Sequence, residues 1–119
     1  MKSVELFIKG KNVHNIDYKP FLLLKASEQG IQKINAFNSR LEETETVVVR
    51  LQGEDDIVTK YIDFLKTNYP DQLEVEGIIE REFNGHVVYA SDFAQILQLE
   101  LITKAVSAIS NIENKKGSI

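Results

Sequence analysis

The order of strand-like and helix-like segments constrains the fold of this 119-residue chain more than any other feature of its sequence. Residues 4–9 and 34–38 show the two-residue periodicity of a strand, with apolar side chains at positions 4, 6 and 8 and at positions 34 and 36. Three consecutive valines at residues 47–49 also favour a strand, because β-branched side chains pack well on a pleated surface. Between the first two of these segments, Pro20 fits the first position of a helix and Gly30 fits its end. The first half of the chain therefore predicts a β-α-β-β order.

The second half of the chain continues this order with another helix and another strand. The aspartates at residues 55–56 can cap a helix whose apolar residues have helical spacing, and Pro70 closes it. Residues 75–83 favour a strand, and the Asn-Gly pair at residues 84–85 predicts a tight hairpin turn into a short extra strand at residues 86–89. We therefore expect an α+β, ferredoxin-like sandwich of β-α-β-β-α-β order, with the extra strand and a long C-terminal helix.

The sequence indicates one domain. It contains no internal repeat and no linker rich in glycine, proline or serine. We expect the domain to occupy residues 1–90, to be extended by the C-terminal helix at residues 91–113, and to end in a flexible tail at residues 114–119.

Residue composition excludes several classes of site. The chain has no cysteine, which rules out disulfides, thiol nucleophiles and cysteine-ligated metals, and it has only two histidines. Its net charge of −4 disfavours nucleic acid and anionic membranes as partners. No apolar run is long enough for a secretory signal or a membrane span, so we expect a cytoplasmic location. These patterns predict a protein without a metal or cofactor.

A motif lies between the first strand and the first helix. Residues 13–21 have the sequence VHNIDYKPF. This segment resembles the acylphosphatase loop V-Q-G-V-x-F-R, and more closely the form V-Q-G-V-G-F-R-P-F found in the acylphosphatase-like module of hydrogenase-maturation proteins. The first residue and the last two are identical to that form, and Lys19 stands at the family's catalytic arginine. The resemblance covers roughly residues 3–90 and implies the acylphosphatase-like form of the sandwich.

The resemblance also implies the residues of a site. Backbone N–H groups of a loop at a helix N-terminus hold the phosphate of an acyl phosphate, assisted by a cationic side chain and an amide. Lys19 is therefore predicted to hold the anion, and Asn38, near the family's catalytic asparagine, to orient the attacking water. The implied anion-binding loop consists of Asn15, Ile16, Asp17 and Tyr18.

Departures from the family pattern predict weak or absent hydrolysis. Asn15 and Asp17 replace two glycines of the loop, and the carboxylate of Asp17 adds negative charge where a phosphate would bind. Lys19 supplies a point charge instead of the bidentate guanidinium of an arginine. Because the loss of one such donor costs about 100-fold in rate, we expect a degenerate acylphosphatase-like protein that binds a phosphate- or carboxylate-containing small molecule. If the protein is an enzyme, it hydrolyses acyl phosphates.

The C-terminal helix suggests an alternative function. Between Asp92 and Ile112, apolar residues cover more than one face of the helix. This predicts either pairing with a second copy in a homodimer or coverage of the sheet within the monomer. In the first case the chain is a noncatalytic interaction module. The predicted interface consists of Phe93, Leu97, Leu101, Ala105 and Ile109.

Overall fold

The elements of the fold follow the expected order in a computed structural model, which describes the backbone of residues 1–117 and the side chains of residues 1–110. The elements are β1 (Lys2–Lys11), α1 (Tyr18–Glu28), β2 (Lys33–Leu41), β3 (Thr44–Gly53), α2 (Asp55–Thr67), β4 (Glu74–Glu82) and α3 (Ala90–Gly117). The β-α-β-β-α-β order followed by a long helix confirms the predicted α+β fold class.

The described residues form one antiparallel sheet with strand order β2-β3-β1-β4, so β2 and β4 are its edges. Gly10 lies where the register between β1 and β4 shifts, and a Cβ atom at this position would overlap the carbonyl oxygen of Glu74. The sequence pattern places the end of the strand at this glycine, yet β1 continues to Lys11. Glycine is needed here because two backbones approach closely, not because the strand ends.

The three helices bury apolar side chains against one face of the sheet. Along β1, Val4, Leu6 and Ile8 belong to this core, so the intervening Glu5 and Phe7 lie on the opposite face. The helices contribute Tyr18, Leu22 and Ala26 from α1, Val58, Tyr61 and Leu65 from α2, and Phe93 and Leu97 from α3. The core therefore fixes the beginning of α1 beside the first half of α3.

Two tyrosines are buried in this core. The hydroxyl of Tyr61 donates a 2.6 Å hydrogen bond to the carbonyl oxygen of Leu22 and so joins α2 to α1. The hydroxyl of Tyr18 has no hydrogen-bond partner among the residues that the structure describes. Burial raises the pKa of both hydroxyls above the ordinary tyrosine value, because the charged form loses its hydration.

The opposite face of the sheet carries a buried carboxylate with two cationic partners. Glu5 is 8% exposed and accepts a 2.7 Å hydrogen bond from Nε of Arg50, while Arg81 lies 3.4 Å away. The guanidinium of Arg50 lies 5.0 Å from the ring centre of Phe37 and 4.6 Å from that of Phe83. Pairing and aromatic contact together compensate for removing this charge from water.

The hairpin predicted at residues 84–85 does not form. After β4, the chain crosses to the other edge of the sheet, where Ile34 donates a 3.0 Å hydrogen bond to the carbonyl of Val88. The predicted extra strand is reduced to one antiparallel bridge, between Lys33 and Tyr89. Val87 is only 2% exposed along this path, so the crossing buries apolar surface that a hairpin extending from an edge strand would leave in water.

Two boundaries differ from the sequence patterns. α1 begins at Tyr18, so Pro20 lies within the first turn, where N–H groups have no helical acceptor in any case. β2 and β3 are longer than their apolar patterns indicate and meet at Glu42 and Glu43, whose φ angles are 52° and 67°. Positive φ at both central residues matches the twist of a tight hairpin, although glycine and asparagine adopt it more readily.

α3 extends beyond the rest of the fold. It packs on α1 and β2 through its first half, whereas each residue from 101 to 110 is exposed. The molecule consequently measures 59 Å along its longest axis and 28 and 25 Å across. Within the part of the chain that the structure describes, no helix is both long and apolar enough to cross a membrane.

Candidate functional site

Lys19 forms an ion pair with a carboxylate from a distant part of the chain. It is the second residue of α1, and its Nζ atom lies 2.7 Å from Oε2 of Glu100 on α3. The lysine side chain is 13% exposed and the glutamate side chain 41% exposed. The ammonium group therefore faces the C-terminal helix and not open solvent.

A small cavity surrounds this ion pair, and we call it the Lys19 cavity. The cavity is lined by His14, Ile16, Lys19, Pro20 and Asn38 on one side, and by Leu97, Glu100, Leu101 and Lys104 on the other. Its volume of about 20 Å³ corresponds to roughly one water molecule and is far too small for an acyl phosphate. Lys19 and Asn38 thus line one cavity, and α3 closes it.

Most backbone N–H groups of the predicted anion-binding loop are already hydrogen-bonded to nearby residues. Asn15 donates its N–H to the carbonyl of Asn12 over 2.9 Å. The side-chain oxygen of Asn15 accepts the N–H of Asp17 at 2.9 Å, and its carbonyl accepts the N–H of Tyr18 at 3.0 Å. Of the four N–H groups from residues 15 to 18, only that of Ile16 has no acceptor among the described residues. The side chain that replaces a loop glycine therefore occupies one donor that an anion would need, and backbone carbonyls occupy two more.

His14 connects this loop to the hairpin between β2 and β3. Its backbone N–H donates to Oε1 of Glu45 over 3.1 Å, and its Nδ1 lies 3.7 Å from the same oxygen. Its Nε2 lies 2.9 Å from the carbonyl oxygens of both Ser39 and Thr46. Because carbonyls only accept hydrogen bonds, Nε2 carries a proton. His14 therefore positions the loop. Because its Nε2 is hydrogen-bonded to two carbonyls, this nitrogen is not available for acid–base catalysis.

No cluster of three or more potential metal-binding side chains occurs among the described residues. The polar groups of the Lys19 cavity are ammonium, imidazole, amide and carboxylate. Such a set suits electrostatic binding of a small anion better than metal coordination.

The fold has counterparts among solved structures. An acylphosphatase from Coxiella burnetii matches with a TM-score of 0.53 and 19% identity, over 71% of this chain and 83% of its own. An acylphosphatase from Bacillus subtilis matches with a TM-score of 0.54 and 14% identity, over 72% of this chain and 89% of its own. The chain has the acylphosphatase fold. No protein-family model and no curated protein sequence matches it. At these identities the likeness establishes the acylphosphatase-like architecture and not the activity.

The residues predicted as an interface on α3 separate into two groups. Phe93 and Leu97 are 0% and 6% exposed and pack into the core of the same chain. Leu101 and Ile109 are 43% and 57% exposed, and Ala105 is exposed as well. The first group therefore serves the monomer, and only the second remains accessible to another molecule.

Sequence reasoning missed two carboxylates, Glu100 at Lys19 and Glu45 at His14. They lie 81 and 31 residues from Lys19 and His14, respectively. Neither glutamate belongs to a local pattern, so only the packing of α3 and of the β2–β3 hairpin could reveal them.

Proposed function

We propose that this protein binds a small phosphate- or carboxylate-bearing anion in the Lys19 cavity, and that it hydrolyses acyl phosphates weakly or not at all. The observation that carries the proposal is the 2.7 Å contact between Lys19 and Glu100. A carboxylate of the protein itself already occupies the place where the ammonium group would meet an anionic ligand. An external anion must therefore compete with Glu100.

The charges around the cavity support a small anion as the ligand. Lys19 and Lys104 contribute two ammonium groups, against the single carboxylate of Glu100. When an anion displaces this carboxylate, both lysines can act on it. The enclosed surroundings strengthen such contacts relative to bulk water.

The loop supports the proposal that hydrolysis is weak. Three of its four N–H groups are donated to Asn12 and Asn15, so a phosphoryl group would have to break those hydrogen bonds first. Lys19 offers no planar fork with which to hold the phosphoryl oxygens in line. Phosphoryl transfer depends mainly on such positioning and charge stabilisation, and each lost donor costs about 100-fold in rate.

Titration with orthophosphate, followed by the backbone amide NMR shifts of residues 15–18, tests the proposal. We expect shifts in the wild type, none in Lys19→Ala, and about tenfold tighter binding in Glu100→Gln. A hydrogen bond between charged groups contributes about 1.5–3 kcal/mol, which sets this magnitude.

The matched control is Glu28→Gln. Glu28 pairs with Lys25 on the same helix at 3.3 Å, and its substitution changes the net charge of the protein by the same amount. We expect it to leave phosphate binding unchanged. Equally tighter phosphate binding in both glutamine variants would show that the effect comes from net charge alone. Phosphate binding that survives Lys19→Ala would exclude Lys19 as the anion-binding group.

A further inference from the structure

The part of α3 beyond the core carries an exposed apolar stripe. We call it the 99–109 stripe, after its first and last residues. Its members are Leu99, Ile102, Val106 and Ile109, which are 64%, 59%, 56% and 57% exposed. They follow one another at intervals of three, four and three residues, which is the spacing of a seam between two paired helices.

This stripe faces away from the body of the protein. At about 100° per residue, its mean direction is opposite to that of Phe93 and Leu97, which enter the core. While those two residues stay in the core, the stripe points away from the sheet and from the other helices of the described part of the chain. The stripe is therefore available to another molecule in the folded monomer.

The charge distribution favours a second copy of this chain as that molecule. Glu100 and Lys104 are the charged residues between positions 99 and 110, and both lie on the side of the helix that faces the Lys19 cavity. The residues that flank the stripe are Gln98, Thr103, Ala105 and Ser110, all uncharged. Two identical stripes can therefore meet without placing like charges opposite each other, although each chain has a net charge of −4.

A lipid surface fits these observations less well. Helices that lie in a membrane interface carry lysine or arginine on their polar face. Between positions 99 and 110, the face opposite the stripe carries a single lysine, Lys104, together with the acidic Glu100. We infer that the 99–109 stripe pairs with the same stripe of a second copy, forming a two-fold symmetric homodimer.

The pairing is weak because the seam is short. The stripe spans about one and a half heptads, or about 15 Å of helix, whereas long coiled coils continue over several heptads. The monomer and dimer therefore exchange with concentration. The inference is independent of the anion-binding proposal, since the Lys19 cavity lies on the other side of α3.

Analytical ultracentrifugation over a concentration series from micromolar to millimolar tests the inference. We expect the wild-type mass to rise from that of one chain towards twice that value. The double variant Ile102→Glu/Val106→Glu should stay monomeric throughout, and Ser107→Glu, which adds a charge to the same part of α3 but outside the stripe and its flanks, should behave as the wild type. A wild type that stays monomeric, or a double variant that still doubles its mass, overturns the inference.

Mixing variants of opposite charge distinguishes loss of pairing from loss of folding. Ile102→Glu/Val106→Glu and Ile102→Lys/Val106→Lys should each be monomeric, and an equimolar mixture should regain the doubled mass, because opposite charges then meet across the seam. A mixture that stays monomeric contradicts pairing through the stripe. Binding of the wild type to vesicles of anionic phospholipid, without any self-association, would assign the stripe to a membrane surface and overturn the dimer.

Discussion

Lys19 and Glu100 are 81 residues apart in the sequence, yet their charged groups lie 2.7 Å apart. This contact couples the beginning of α1 to α3, a helix with an exposed outer half. Under the proposed function, an anion reaches the lysine only when this glutamate is displaced.

We expect the wild type to hydrolyse benzoyl phosphate at a rate close to that of the uncatalysed reaction. The double variant Lys19→Arg/Glu100→Gln should be faster, because it supplies a bidentate guanidinium and removes the competing carboxylate. Release of orthophosphate measures both rates. Wild-type turnover that disappears in Lys19→Ala would instead identify a working lysine-based site and contradict the proposed loss of activity.

The two buried tyrosines should respond differently to removal of their hydroxyls. Tyr61→Phe loses the 2.6 Å hydrogen bond to Leu22, so we expect it to lower the free energy of unfolding by about 1–2 kcal/mol. Tyr18→Phe removes a hydroxyl without a partner among the described residues and should leave this free energy unchanged or raise it. Urea unfolding at neutral pH measures both effects. Equal losses in the two variants would contradict this assignment of partners.

Stability should fall at alkaline pH. Burial raises the pKa of Tyr18 and Tyr61 in the folded state, whereas in the unfolded chain both have a pKa near 10. Above about pH 10 the unfolded chain therefore binds fewer protons than the folded one, and the free energy of unfolding decreases as pH rises.

Urea unfolding at a series of pH values between 8 and 11 measures this decrease. Each tyrosine contributes up to about 1.4 kcal/mol per pH unit above pH 10. Tyr18→Phe should remove one such contribution without lowering stability at neutral pH. A slope that is the same in wild type and variant would show that Tyr18 titrates normally in the folded protein.

Two glycines in paired strands provide a matched test of the close approach between β1 and β4. Gly10→Ala should lower the free energy of unfolding by about 2–4 kcal/mol, because its Cβ would overlap the backbone of Glu74. At Gly77 a Cβ would meet nothing within 4 Å, so Gly77→Ala should change stability little or raise it by about 0.4–1 kcal/mol. Thermal unfolding of the two variants distinguishes the two positions.

The sequence correctly predicted the features of the fold that depend on local patterns. Alternation and helical spacing indicated the order of the elements, and the resemblance carried by the motif at residues 13–21 pointed to Lys19 and Asn38, which line the same cavity. The route of the chain after β4 could not be predicted from local patterns. The Asn-Gly pair at residues 84–85 favours a hairpin, whereas the burial of Val87 far from β4 determines the observed path.

The candidate site could be predicted only in part, for the same physical reason. Glu100 and Glu45 act through contacts that depend on how α3 and the β2–β3 hairpin pack, and no spacing in the sequence encodes them. On α3 the sequence showed that apolar residues surround the helix. It could not show that Phe93 and Leu97 enter the core, which leaves the opposite stripe exposed.

The edge strand β4 has a consequence for solubility. Its glutamates are Glu74, Glu76, Glu80 and Glu82, distributed along almost its entire length. If two copies aligned these edges to extend the sheet, rows of carboxylates would face each other and repel. The exposed backbone of β4 is thus protected against growth into fibrils, and crowded or concentrated solutions of this protein should stay clear for as long as these carboxylates are ionised.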